Sequence, residues 1–151
     1  MSVATIPGFI HKKSVEELAK VINISNINAS IGSTNVTPLW FAINGKTKRP
    51  DESTPEFADY EIIKLLVDEG ANTNKKSVMS TPLYWAVFHE RSDITRLLLM
   101  NDANPNEYNF IRMYNKKVLC EVPLNVAIRN MNLTLVNLLV IYGALYNKYT
   151  I

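Results

Sequence analysis

One cysteine, two histidines and five glycines leave this 151-residue chain short of most equipment for chemistry. Cys120 has no second cysteine to pair with, so no internal disulfide forms, which fits a reducing compartment. No activating base lies near it in sequence, and it reads as an inert thiol. His11 and His89 are far apart, and His89-Glu90 lacks the second histidine of a helical zinc site. The glycines build no loop that could cradle a phosphate. The carboxylates fall mainly on helix surfaces and in the 51–61 stretch, where solvation accounts for them. No catalytic residue, cofactor or metal site is expected, and an enzyme is not.

A dominant charge is missing too. Sixteen basic against fourteen acidic residues give a net charge of +2, far from the basic footprint of a nucleic-acid binder. No apolar run reaches the roughly 20 residues of a membrane span. The segment from Met1 to Lys20 carries Glu16 and Glu17 and does not read as a signal peptide. A cytoplasmic protein with neither nucleic acid nor membrane as partner is expected. What the chain has in quantity is asparagine, seventeen residues, read here as compositional bias that also suits turns and caps. Four Asn-x-Ser/Thr triplets, at Asn23, Asn28, Asn35 and Asn132, are taken as chance products of that bias.

A self-similar pattern organises the rest. Thr37-Pro-Leu-Trp-Phe-Ala-Ile, Thr81-Pro-Leu-Tyr-Trp-Ala-Val and Val122-Pro-Leu-Asn-Val-Ala-Ile each open a short apolar helix. Pro38, Pro82 and Pro123 take its first position, where a missing N–H costs nothing, and Thr37 and Thr81 can cap it. Val122 cannot, which weakens the third start by about 1 kcal/mol. A second helix follows in each copy: Glu61 to Asp68, Asp93 to Met100 and Thr134 to Ile141, each with a leucine-rich face that must be buried. The tails read Gly70-Ala-Asn-Thr-Asn74, Asp102-Ala-Asn-Pro-Asn106 and Gly143-Ala-Leu-Tyr-Asn147. Gly70 and Gly143 stand where a helix ends in a left-handed residue, and Asp102 is the poorer choice at the same place.

Thr-Pro-Leu-x-x-Ala, a Leu-Leu helix and then Gly-Ala-x-x-Asn resembles the ankyrin repeat, over roughly Ser14 to Asn147. The resemblance implies an all-α solenoid of paired antiparallel helices with β-hairpin fingers. On it the chain is a single domain over 1–151, with an N-terminal cap or half repeat at 14–36. Ser14 and Glu17 there have capping-box spacing. Repeat 1 spans 37–80, repeat 2 spans 81–121 and repeat 3 spans 122–147. The departures are an insertion at 46–58, expected to be a wet loop, and a long finger at 106–121. The family's histidine after Thr-Pro-Leu is replaced by Trp40, Tyr84 and Asn125, which puts its usual hydrogen bonds at the turns in doubt.

The resemblance also implies binding of another protein through fingers and first helices. By position this gives Asn44, Phe88, His89, Arg129 and Asn130 on the helices, and Val36, Lys75, Lys76 and Met79 on the fingers. The long finger adds Tyr108, Phe110, Arg112, Met113 and Tyr114, residue types enriched in interface cores. Trp40, Phe41, Tyr84 and Trp85 are expected mostly to pack between repeats. The expected role is bind-and-block, as a viral or bacterial inhibitor of a host factor or toxin. The alternative is an assembly subunit, a homo-oligomer joined through the apolar C-terminal helix, because a terminal repeat ordinarily needs a polar outer face.

Overall fold

The computed structural model describes residues 5–11, 14–44, 58–112 and 118–148. The chain divides into two compact units, 1–72 and 73–151. Each is built from two helix pairs.

In the first unit the helices are α1 (Thr5–His11), α2 (Val15–Val21), α3 (Pro38–Asn44) and α4 (Tyr60–Asp68). α1 packs on α2 and α3, and α4 packs on α2 and α3. The capping-box reading anticipates only α2, where Glu17 N–H donates to Ser14 Oγ at 3.4 Å. α1 is additional. Ile6 and Ile10 lie one turn apart on it and are buried, while Pro7 and Gly8 between them disguise the helix in sequence. α3 starts as expected, with Trp40 N–H donating to Thr37 Oγ1 at 3.3 Å. Ile62, Ile63, Leu66 and Val67 are the buried face of α4.

The insertion falls almost wholly outside the described residues. Its last member, Ala58, corrects the expectation of a wet loop there. It is 6% exposed and its N–H donates to the Ala42 carbonyl at 3.3 Å, so the chain is already back on the core before α4 begins.

The second unit holds α5 (Pro82–Phe88), α6 (Ser92–Met100), α7 (Pro123–Arg129) and α8 (Leu133–Ile141). α5 packs on α6 and α7, and α8 packs on α6 and α7. Between α6 and α7, β1 (Asn109–Arg112) and β2 (Val118–Glu121) form an antiparallel hairpin running from Asn109 opposite Glu121 to Arg112 opposite Val118. Eight helices and one two-stranded hairpin among the described residues make the chain mostly helical.

The repeated tail has one physical explanation in all three copies. Gly70, Asp102 and Gly143 take φ of 92°, 62° and 82°, the left-handed conformation that turns the chain out of its helix. The next residue, Ala71, Ala103 or Ala144, is buried and donates its N–H back to Leu66, Leu98 or Leu139 at 2.9–3.0 Å. An asparagine from an earlier segment then hooks the turn. Asn28 Oδ1 accepts from Asn72 N–H at 2.6 Å while its Nδ2 donates to the Gly70 carbonyl at 3.1 Å. Asn74 bonds Asn104 N–H and the Asp102 carbonyl in the same way, at 2.7 and 2.8 Å. Asn106 does so to Leu145 N–H and the Gly143 carbonyl, at 2.7 and 3.0 Å. Each hook pairs one backbone N–H and one backbone carbonyl of the turn that follows the helix. Part of the asparagine excess therefore has a structural cause. Among the triplets, Asn28 spends its Nδ2 on the hook and Asn132 spends its own on Glu90 Oε1, at 3.1 Å.

Candidate partner-binding surface

The surface begins with a turn its sequence does not favour. Ser77 and Ser80 exchange backbone hydrogen bonds of 2.9 and 3.1 Å, closing a two-residue loop over Val78 and Met79. Both central residues have positive φ, 50° and 66°. Asn-Gly is the usual occupant of such a loop, because a left-handed residue bearing Cβ costs about 1–2 kcal/mol. A β-branched valine is among the worst choices. Both side chains stand in solvent, 59% and 61% exposed.

Hydrogen bonds tie this turn to its neighbours in the second unit. Ser80 Oγ accepts from Trp85 Nε1 at 2.7 Å, joining the turn to α5. Met79 carbonyl accepts from Phe110 N–H at 3.2 Å, joining it to β1. Along α5 the rings of Tyr84, Trp85, Phe88 and His89 form a chain of contacts, with centroids 5.2 Å apart for Trp85 and Phe88 and 5.7 Å for Trp85 and His89. Its inner end, Tyr84, is fully buried, and its outer end, Phe88, is exposed. On the hairpin, Phe110 lies opposite Cys120 and is exposed, as are Val118 and Tyr108. The two-residue turn, the hairpin with the residue before it, and the end of α5 thus present Val78, Met79, Phe88, Tyr108, Phe110 and Val118 to solvent.

A buried charge fixes the base of the hairpin. Glu121 is 0% exposed, a costly position for a carboxylate unless its oxygens are satisfied. Arg129 Nη1 donates to Oε2 at 2.6 Å and Nη2 to Oε1 at 3.2 Å. Tyr84 Oη donates to Oε1 at 2.8 Å. Across the hairpin, Asn109 Oδ1 accepts from Thr81 N–H at 2.7 Å and from its hydroxyl at 3.1 Å. Burial, and then the hydrogen bond to Glu121, push the Tyr84 phenol pKa above its ordinary value. The hydrogen bond to Glu121 also raises that of Arg129. β2 is thereby locked to both α5 and α7.

The sequence-derived candidates occupy varied settings. Phe88, Met79, Tyr108 and Phe110 are exposed on this surface, and His89 is half-buried against Trp85. Lys75 is half-buried, and Lys76 is paired with Glu107 at 2.6 Å. Arg129 serves Glu121 while keeping 48% of its side chain exposed. Asn130 is exposed, and its N–H closes α7 on the Val126 carbonyl at 3.0 Å. Arg112 ends β1, and Met113 and Tyr114 lie outside the described residues. Val36 and Asn44 are half-buried in the first unit. Of the first-helix aromatics Tyr84 is buried, whereas Trp40, Phe41 and Trp85 are half-buried. Asn125, standing where the family's histidine would, bonds the Asn147 carbonyl at 2.6 Å and its N–H at 3.1 Å. Sequence reasoning missed Val78, whose only signal is a pair of serines flanking two residues. It also missed Glu121, which reads as one more surface carboxylate.

A family model for ankyrin repeats, in three copies, matches residues 11–109. The chain belongs to the ankyrin-repeat family. Ankyrin repeats generally serve as non-catalytic modules for binding other proteins. The third Pro-Leu-x-x-Ala copy lies beyond the matched residues, yet the Ala144 bond and the Asn106 hook repeat the ankyrin tail geometry there. No curated protein sequence matches the chain. No helix among the described residues is long and apolar enough to cross a membrane.

Proposed function

We propose that this ankyrin-repeat chain binds a partner protein through the finger tips and first-helix ends of its second unit, and inhibits that partner by covering it. The reading is carried by Val78 and Met79. A turn that Asn-Gly would close without strain instead holds two bulky apolar side chains out in water, and strain of this kind concentrates at binding sites. Phe88, Tyr108, Phe110 and Val118 are further exposed apolar residues of the same unit, and Arg129, held by Glu121, keeps about half of its side chain exposed. A surface anchored by Glu121 and Asn109 loses little conformational entropy on docking, so steric blockade needs no rearrangement. A viral or bacterial source, with a host factor or toxin as the protein blocked, fits the Asn-, Ile- and Tyr-rich composition of AT-rich coding sequence. A single cysteine suits action in a reducing cytoplasm.

The test is affinity capture with the wild-type chain, Val78→Asn/Met79→Gly and Phe110→Ala side by side. A protein retained by the wild type and lost from both variants supports the surface. The same captured protein in equal yield on all three removes it.

A further inference from the structure

The last helix pair carries the face of a repeat that has a neighbour. Matching α5–α6 to α7–α8 residue by residue sets Val87 against Ile128, Thr95 against Val136 and Leu99 against Val140. In the earlier pair, on which α7 and α8 pack, these residues are 0%, 0% and 5% exposed. In the last pair Ile128 is 43% and Val140 54% exposed, and Val136 is half-buried. Met131 and Leu133 continue the surface at 83% and 74%. Ile128, Met131, Leu133 and Val136 line an apolar hollow of about 410 Å³. Ile128 and Val140, at positions buried in the earlier pair, are here both apolar and wet.

Charge and spacing indicate what covers them. α8 has no charged residue, and the nearest cation on α7, Arg129, is paired with Glu121. The face can therefore meet a copy of itself without like-charge repulsion. Leu133, Val136 and Val140 recur at i, i+3 and i+7, the seam spacing by which two helices interlock. The exposed side of α2 has the opposite character, carrying Glu16, Glu17 and Lys20. Stacking α8 of one copy on α2 of another would desolvate those charges. It would also be a heterologous contact able to run on without closing.

We propose that two copies of the chain pair tail to tail through the outer face of α7 and α8, in a closed two-fold dimer. Ile128, Met131, Leu133, Val136, Val140 and Ile141 expose on the order of 600 Å² of apolar surface. A stable interface buries ~800 Å² per partner, and Thr134 and Asn137, also on α8, are exposed as well. An apolar patch of that extent lies at the upper end of what a monomer ordinarily leaves in water.

Light scattering on the eluting wild-type chain tests the proposal in the micromolar range. The expected mass is twice the 17.1 kDa of one chain, falling towards it on dilution. Leu133→Glu and Val140→Glu, both at exposed positions, are each expected to give monomers with unchanged circular dichroism. Phe110→Ala is expected to stay dimeric. A wild-type chain monomeric throughout the range overturns the proposal and leaves the face to a repeat of some other protein. A dimer surviving both glutamates overturns it as well. Partner capture by the Val140→Glu chain is read separately, so failure of the finger surface and failure of the dimer are distinguishable.

Discussion

Arg129 holds the buried carboxylate of Glu121 through two nitrogens, at 2.6 and 3.2 Å, and so fastens the end of a finger to the end of a helix. The two residues are far from equivalent. Glu121 is sealed from water, whereas Arg129 keeps about half of its side chain exposed. Removing the arginine leaves a carboxylate that water does not easily reach, with Tyr84 as its remaining side-chain donor.

Arg129→Ala is therefore expected to destabilise the chain by about 2–3 kcal/mol. That lies below the range for a fully buried pair, because the guanidinium is already partly hydrated. Urea unfolding measures it. A change within about 0.5 kcal/mol, the level of ordinary surface substitutions, would show that water takes over the arginine's role.

Tyr84 gives the site a dependence on alkali. Its folded pKa is raised, so the neutral phenol is favoured in the folded chain. The associated stability is fully present below the unfolded tyrosine value of about 10 and is lost as pH rises through the folded value. Tyr84→Phe is expected to remove this component of alkaline destabilisation. At neutral pH the variant should be weaker by about 1.5–3 kcal/mol, through loss of a hydrogen bond to a charged group. Urea midpoints across the alkaline range, compared with wild type, check both effects; parallel pH profiles would exclude Tyr84 as their source.

Val78→Asn/Met79→Gly should move stability and binding in opposite directions. Relief of the left-handed strain is expected to stabilise the chain by about 1–2 kcal/mol. Loss of two exposed apolar side chains is expected to weaken capture of the partner. Thermal unfolding and capture yield, measured on the same preparation, decide it. A variant that gains stability and keeps full capture would make the strained turn functionally idle.

The hooks can be tested one at a time. Asn74→Ala removes two hydrogen bonds at the Asp102 turn and is expected to cost about 1–2 kcal/mol. Asn106→Ala should cost a similar amount at the Gly143 turn, since its geometry is the same. Unfolding free energies from denaturant titration compare them directly, and a wide difference would mean the turns are held by something else.

The paired helices were legible because their chemistry is local. Proline at the first helical position, a threonine cap and a glycine or aspartate at the exit act within one turn of chain. α1 escaped notice because Pro7 and Gly8 argue against a helix locally, while burial of Ile6 and Ile10 against α2 and α3 overrides them. Glu121 could not be told from a surface carboxylate, since its partners Tyr84 and Arg129 lie 37 and 8 positions away. The tip turn was hidden for a different reason: Val78-Met79 has none of the residues by which such turns are recognised. The candidate surface was therefore half readable. Its aromatic members announce themselves by type, but the strain and the buried charge that position them arise only on folding.

The asparagine hooks separate two things that usually vary together, the length of a loop and the register of the next helix. Asn28 lies 42 positions before Gly70, Asn74 lies 28 before Asp102 and Asn106 lies 37 before Gly143, yet each closes the same turn with the same pair of bonds. Chain can be added between helices or along a finger without disturbing the joint. Loop length and turn geometry are thus set by different residues, and each hooked turn can be kept while the chain that leads to it changes.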